Sequence, residues 1–264
     1  MAAVQASKWT KRGVSYARHL PGKVAKKLTE PVLGSVRSVV TTERVAALTF
    51  DDGPHPEHTP RLLDVLAMYG AKATFFVVGA AAEAHLNVVQ RLVDEGHALA
   101  NHTFDHPSVP LLARSERLSQ LQRCREILKP FGGDNGLFRP PYGDQSMASR
   151  LDALRLGYEV IAWSQHCSDW LEHDTAFFTA RLTAQLTPGS IFLLHDNLYR
   201  MTDPRKADRS AVIGAVEALL RSRPDYAFVT VPQLLQHGLA HKTMWFKKPD
   251  VAWLSEVDPL SLEV

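Results

Sequence analysis

The run Ala46-Ala47-Leu48-Thr49-Phe50-Asp51-Asp52-Gly53-Pro54 decides how the rest of the chain is read. It begins as a near-continuous apolar stretch, as a strand covered on both faces does. It ends in two adjacent carboxylates and a Gly-Pro pair. A turn accounts for Gly53 and Pro54, but not for two acids side by side. Like charges so close raise the pKa of one of them unless a cation neutralises it. A second run, residues 97–103, repeats the design and leads into His102-Thr103-Phe104-Asp105-His106-Pro107. Together the two segments offer two histidines and one carboxylate to a metal, with a second carboxylate left over. Three N/O ligands suit a zinc-like ion and leave a position open for water. A spare carboxylate beside that water is a candidate general base. These residues point to metal-assisted hydrolysis. His102 and His106 are one helical turn apart, and Pro107 disfavours an α conformation at His106, so a short turn is expected there.

Outward from these segments, apolar strand-like runs alternate with helical patterns. The strand candidates are residues 46–52, 73–79, 97–103, 136–142, 158–164, 190–196 and 226–231. Helical periodicity fills residues 60–69, 80–95, 116–131, 146–156, 175–186 and 209–221. Gly70, Gly96 and Gly157 each follow a helical pattern and precede a strand, as C-terminal caps do. Strands alternating with helices indicate a parallel α/β architecture, shared by doubly wound sheets and (β/α) barrels. The polar residues favour the barrel. Asp51/Asp52, His102, Arg139/Tyr142, residues 164–169 and His195/Asp196 fall at the C-terminal ends of different strands, and a barrel gathers such ends round one mouth. The expected organisation is a basic extension over 1–44, a barrel over 45–238 and a C-terminal extension over 239–264. In the last segment, aromatic residues such as Trp245, Phe246 and Trp253 mix with charge.

The chain has 264 residues, enough for one large single-core domain. A net charge of +2 gives no basis for a nucleic-acid partner. The charge is uneven, however. Lys8, Lys11, Arg12, Arg18, Lys23, Lys26, Lys27 and Arg37 crowd the first part of the chain, where Glu30 is the only acid before residue 40. Such a tail is either a solvated arm or a peripheral contact with an anionic membrane face. The apolar stretches near the start are broken by charge or proline, short of the roughly 7–15 residues of a secretory core, and no run reaches the ~20 residues of a membrane span. A cytoplasmic location, or one at the inner membrane face, is the expectation. Cys124 and Cys167 provide no disulfide framework.

TFDDGP at 49–54, HTFDHP at 102–107, RPPYG at 139–143, SDW at 168–170 and LLHD at 193–196 resemble, in order, the motifs of the polysaccharide deacetylase family, the NodB-homology or family 4 carbohydrate esterases. The resemblance covers about residues 46–235. It implies a distorted seven-stranded (β/α) barrel that removes acyl groups, usually from amino sugars, with a divalent metal. Zinc is the first choice, with cobalt, nickel and manganese as alternatives. By this resemblance Asp52, His102 and His106 are the metal ligands, Asp51 the general base, and Arg139 the residue that orients it. Tyr142 is the backbone donor to the oxyanion, and His195 the general acid. Trp170 and Leu193 line the groove for the acetyl methyl.

One departure stands out. Where many members carry an aspartate that supports the general acid, this chain has His166. Either Asp169 or Asp196 takes over that support, or His195 has a lower pKa here. A second reading makes His166 a substrate contact. The chain is therefore read as a metal-dependent N-deacylase of an amino sugar, polysaccharide or lipid-linked sugar. The alternatives are another C–N hydrolase on the same scaffold, or a carbohydrate-binding protein with an impaired site. The oligomeric state is not legible.

Overall fold

The structure is a computed structural model in which residues 29–133 and 135–258 are described. Strand β1 (Ser35–Val40) comes first, followed by β2 (Val45–Asp51) and helix α1 (His58–Met68). Then come β3 (Ala73–Val77), α2 (Gly79–Ala84), α3 (Leu86–Asp94), β4 (Ala98–Asn101), α4 (Arg114–Leu128), β5 (Leu137–Phe138) and α5 (Met147–Arg155). The second half holds β6 (Glu159–Val160), β7 (Gln165–His166), α6 (Thr175–Gln185), β8 (Ile191–His195), α7 (Pro204–Ala207) and α8 (Ser210–Ser222). It ends with β9 (Ala227–Phe228), α9 (Val231–Leu234), β10 (Leu239–Thr243) and α10 (Val251–Val257).

The main sheet runs β6-β5-β4-β3-β2-β8-β7, parallel throughout, and β9 pairs with the start of β2. Its two outer strands, β6 and β7, belong to one stretch of chain. Residues 161–164 join them, with Ala162 N–H donating to the Val36 carbonyl at 2.7 Å and Ser164 N–H to the Ile191 carbonyl at 3.0 Å. A single interrupted strand thus carries pairing from β5 on one side to β8 on the other. This is the distorted seven-strand (β/α) barrel expected from the sequence.

Strand alternation sorts the residues of β2. Ala46, Leu48 and Phe50 join the larger core, where Leu62, Leu63 and Leu66 of α1 and Val212, Val216 and Leu219 of α8 cover them. Val45 and Ala47 fall in the smaller inner core with Phe76, Ala100, Ile161 and Ile191. The same alternation carries Thr49 and Asp51 into the barrel at its upper end. On β8 it sends Phe192 and Leu194 under the helices and sets Leu193 and His195 on the inner side.

Gly70, Gly96 and Gly157 have φ of 62°, 78° and 82°, the left-handed caps expected of them. The helix expected over 80–95 is two, α2 and α3, broken at His85. The strand series begins at Ser35 rather than at residue 46. Val36 and Val39 of β1 are buried, and β1 pairs antiparallel with β10. Residues on both sides of the expected barrel limits therefore meet in one ribbon. Lys8, Lys11, Arg12, Arg18, Lys23, Lys26 and Lys27 lie outside the described residues. Among those described, no helix is long and apolar enough to cross a membrane.

Candidate active site

The C-terminal ends of the strands open into a cavity of about 540 Å³, whose lining includes Asp51, Asp52, His102, His106, Tyr142 and His195. Asp51 ends β2 and is buried with its carboxylate against Arg139. Arg139 Nη1 donates to Asp51 Oδ1 at 2.6 Å and to Thr49 Oγ1 at 2.7 Å. Its remaining nitrogens donate to the carbonyls of Ile161 and Ala162, at 3.1 and 3.0 Å. Its guanidinium carbon lies 4.0 Å from the centre of the Phe76 ring. Fully buried, with every nitrogen bonded, this arginine sets a positive charge directly against Asp51.

The second carboxylate turns the other way because Asp52 adopts a left-handed conformation, φ 75°. Asp52 Oδ1 lies 3.3 Å from His102 Nε2 and 3.0 Å from His106 Nε2, and its Oδ2 accepts the Tyr199 N–H at 3.1 Å. The turn after β4 delivers both imidazoles, with positive φ at Thr103 (68°) and His106 (61°), so the rings meet without a helix. One ligand atom from each of Asp52, His102 and His106 lies within 4.8 Å of the others. The outer nitrogens are also fixed. The Arg139 carbonyl can only accept, so His102 Nδ1 donates to it at 2.7 Å, while His106 Nδ1 faces the Tyr142 hydroxyl at 3.1 Å. Both Nε2 atoms are thereby presented to the same point. Two oriented imidazoles and one carboxylate fit a divalent ion of the zinc type. Burial alone would raise the pKa of Asp52, but the charge of His106 and bonds from both histidines hold it well below the usual carboxylate range. Burial likewise works against the charge on His106, yet Asp52 and Asp258 push it up to about 9.

His195 ends β8, in register with Asp51. Its Nδ1 lies 3.0 Å from Asp169 Oδ1, and its backbone N–H donates to Asp169 Oδ2 at 2.8 Å. Arg209 donates to the Asp169 backbone carbonyl at 2.5 Å and approaches Oδ2 at 3.5 Å. Burial opposes the charged imidazole, but Asp169 raises the pKa of His195 above its ordinary value. Of the two carboxylates named as candidate supports, Asp169 is the one bonded to His195. The Asp196 carboxylate lies elsewhere, packed against Gly53 and receiving the Thr59 hydroxyl, and burial pushes it up to about 7. His166 stacks on Trp170 at 5.3 Å, and Trp170 meets His195 edge-on at 6.0 Å. All three, with Leu193, line the cavity. Tyr142 sits in a short turn at φ 58°.

Several cavity residues were not singled out from the sequence. Behind the cavity, Arg209, just before α8, supports Asp169. Trp245, Lys247, Asp250, Trp253 and Asp258 come from the C-terminal segment. The mixture of aromatic and charged residues there was the available signal, but it carried no spacing that tied it to the strands.

A family model described as polysaccharide deacetylase matches residues 38–161. A peptidoglycan-N-acetylglucosamine deacetylase of Bacillus cereus is 34% identical over 202 residues, covering 74% of this chain and 70% of that protein. The chain belongs to the polysaccharide deacetylase family. As a member, it is a hydrolase of carbon–nitrogen bonds. A chitooligosaccharide deacetylase of Sinorhizobium fredii is 32% identical, covering 70% of this chain and 89% of that one. Among solved structures of polysaccharide deacetylases, a peptidoglycan N-acetylglucosamine deacetylase in complex with 4-naphthalen-1-yl-N-oxidanyl-benzamide matches with a TM-score of 0.71. It is 29% identical, and the match covers 79% of this chain and 95% of that one.

Proposed function

We propose that this protein removes the N-acetyl group from N-acetylglucosamine units of an oligosaccharide or glycan strand. The observation that carries the reading is the pairing of Asp51 and His195. They stand in register on neighbouring strands, each on its own buried counter-charge, beside a cluster of metal-ligand type. Asp52, His102 and His106 would hold a divalent ion, zinc in the first instance, which when bound polarises the acyl carbonyl and acidifies water.

The residues divide the remaining work. Asp51 accepts the proton of the attacking water, and Arg139 fixes the oxygen that does so. The Tyr142 backbone N–H donates to the oxygen that becomes negative in the tetrahedral species. His195 gives its Nε2 proton to the departing amine, while Asp169 holds Nδ1 and favours the charged ring. Trp170 and Leu193 form the apolar wall for the acetyl methyl, and His166, stacked on Trp170, contacts the sugar next to it. The named relatives act on peptidoglycan and chitooligosaccharide, which supports a polymeric or oligomeric amino sugar. The basic cluster from Lys8 to Arg37 supports peripheral attachment to anionic lipid, read out as salt-sensitive vesicle binding.

The test is acetate release from N-acetylglucosamine oligomers by chelator-treated protein, with and without added zinc. Turnover that returns with zinc supports the reading. Binding of the oligomers without acetate release under any metal would reduce the protein to a carbohydrate binder.

A further inference from the structure

The C-terminal segment grips the Tyr142 turn at two places. Residues 245–247 hold its backbone. Gln145 and Lys247 exchange backbone hydrogen bonds of 3.0 and 3.2 Å, Trp245 Nε1 donates to the Gly143 carbonyl at 3.0 Å, and Lys247 Nζ donates to the Tyr142 carbonyl at 2.9 Å. Asp258 holds its side chain, with the Tyr142 hydroxyl donating to Asp258 Oδ2 at 2.6 Å. A phenol has one proton to give. With that proton donated to the carboxylate, the same oxygen accepts from His106 Nδ1, 3.1 Å away. Asp258 Oδ2 itself lies 4.0 Å from that nitrogen, and its carboxylate is buried. Imidazole, phenol and carboxylate therefore form one directed chain. Its free end is His106 Nε2, the atom aimed at Asp52 Oδ1.

We infer that Asp258 is a positioning residue for the metal centre, acting through the Tyr142 hydroxyl to fix the tautomer and orientation of His106. The inference rests on the ligand set of the proposed function and adds a residue from the far end of the described chain, 152 positions from the ligand it orients. Carboxylates in this outer position make a ligating imidazole more basic, and their loss typically lowers metal affinity by about 10–100-fold. The same chain fixes the turn carrying the proposed oxyanion donor, so one carboxylate serves both ligand and donor.

The experiment is a zinc titration of the chelator-treated full-length protein against a competing chromophoric chelator, needing no substrate. Asp258→Ala should weaken zinc by about 10–100-fold. Asp258→Asn, whose side-chain carbonyl still accepts the phenolic proton, should lie between Asp258→Ala and the parent. Tyr142→Phe should weaken zinc comparably, and the double variant should be no weaker than the worse single one, because both break the same chain. The melting temperature of the metal-free variants reports any purely structural damage, which would move Tm without this pattern in affinity. Equal zinc affinity in Asp258→Ala and the parent, or fully additive losses in the double variant, overturns the inference while leaving the proposed function standing. Failure of the parent protein to bind zinc or any other divalent ion overturns the ligand assignment itself, and the inference with it.

Discussion

Two titratable groups face the cavity from adjacent strands, and the protein treats them in opposite ways. Asp51 at the end of β2 rests on Arg139, a cation with no other accessible charge state and with all its hydrogen-bonding nitrogens engaged. His195 at the end of β8 rests on Asp169, an anion that Arg209 in turn holds in place. The side proposed as the base is held by a fixed cation. The side proposed as the acid is a relay whose charge depends on the proton at His195. The lesson is that a barrel mouth can hold two such groups a strand apart, provided each has a buried partner of opposite sign.

The comparison breaks most sharply at Asp51. Asp51→Asn should cost about 10²–10⁴-fold in kcat, the usual worth of a general base, with zinc affinity retained in a chelator titration. If Asp51→Asn loses the metal while Asp52→Asn keeps it, the two carboxylates have exchanged roles. On the acid side, Asp169 raises the pKa of His195, and the acid must be protonated to work. Removing the carboxylate lowers that pKa, so Asp169→Asn should move the alkaline limb of the kcat profile to lower pH. An unmoved limb would mean that another group protonates the amine. The smallest effect belongs to His166. Because Asp169 already supports the acid, His166→Asp should leave that limb in place and change KM by roughly two- to tenfold, the worth of one ordinary hydrogen bond. A limb that moved upward instead would place His166 in the relay.

What could be read from the sequence follows from how each segment is buried. β2, β3 and β8 are covered on both faces, and their apolar runs stand out. β1 buries only part of its surface and carries Arg37 in its middle, while β10 is largely exposed. Neither has an apolar run or clean alternation, because their stability comes from pairing with each other across two hundred residues of chain. The strand expected over 158–164 holds β6 but stops before β7, because periodicity cannot see where pairing changes partner. At the site, Asp51, Asp52, His102, His106, Arg139 and His195 were legible because each sits in a short motif at a strand end. The choice among supporters of His195 was not, since Asp169 and Asp196 are equally plausible by position and only the geometry separates them. Asp258 carried no local pattern at all.

The place of β2 also shapes how the chain folds. It is the first strand of the main sheet to be made, yet it sits in the interior, with β3 on one edge and β8 on the other. Along Leu48–Asp51 the β3 edge is satisfied within about thirty residues, whereas its start waits for Ala227–Phe228 and the other edge for Ile191–His195, some 140 residues later. Until then Val45–Asp51, apolar along nearly its whole length, presents an unpaired parallel edge. Long-range parallel pairing is slow because loop closure precedes the contacts that reward it. During synthesis and refolding this half-finished edge is where one chain meets another, so aggregation competes with folding most strongly before β8 docks.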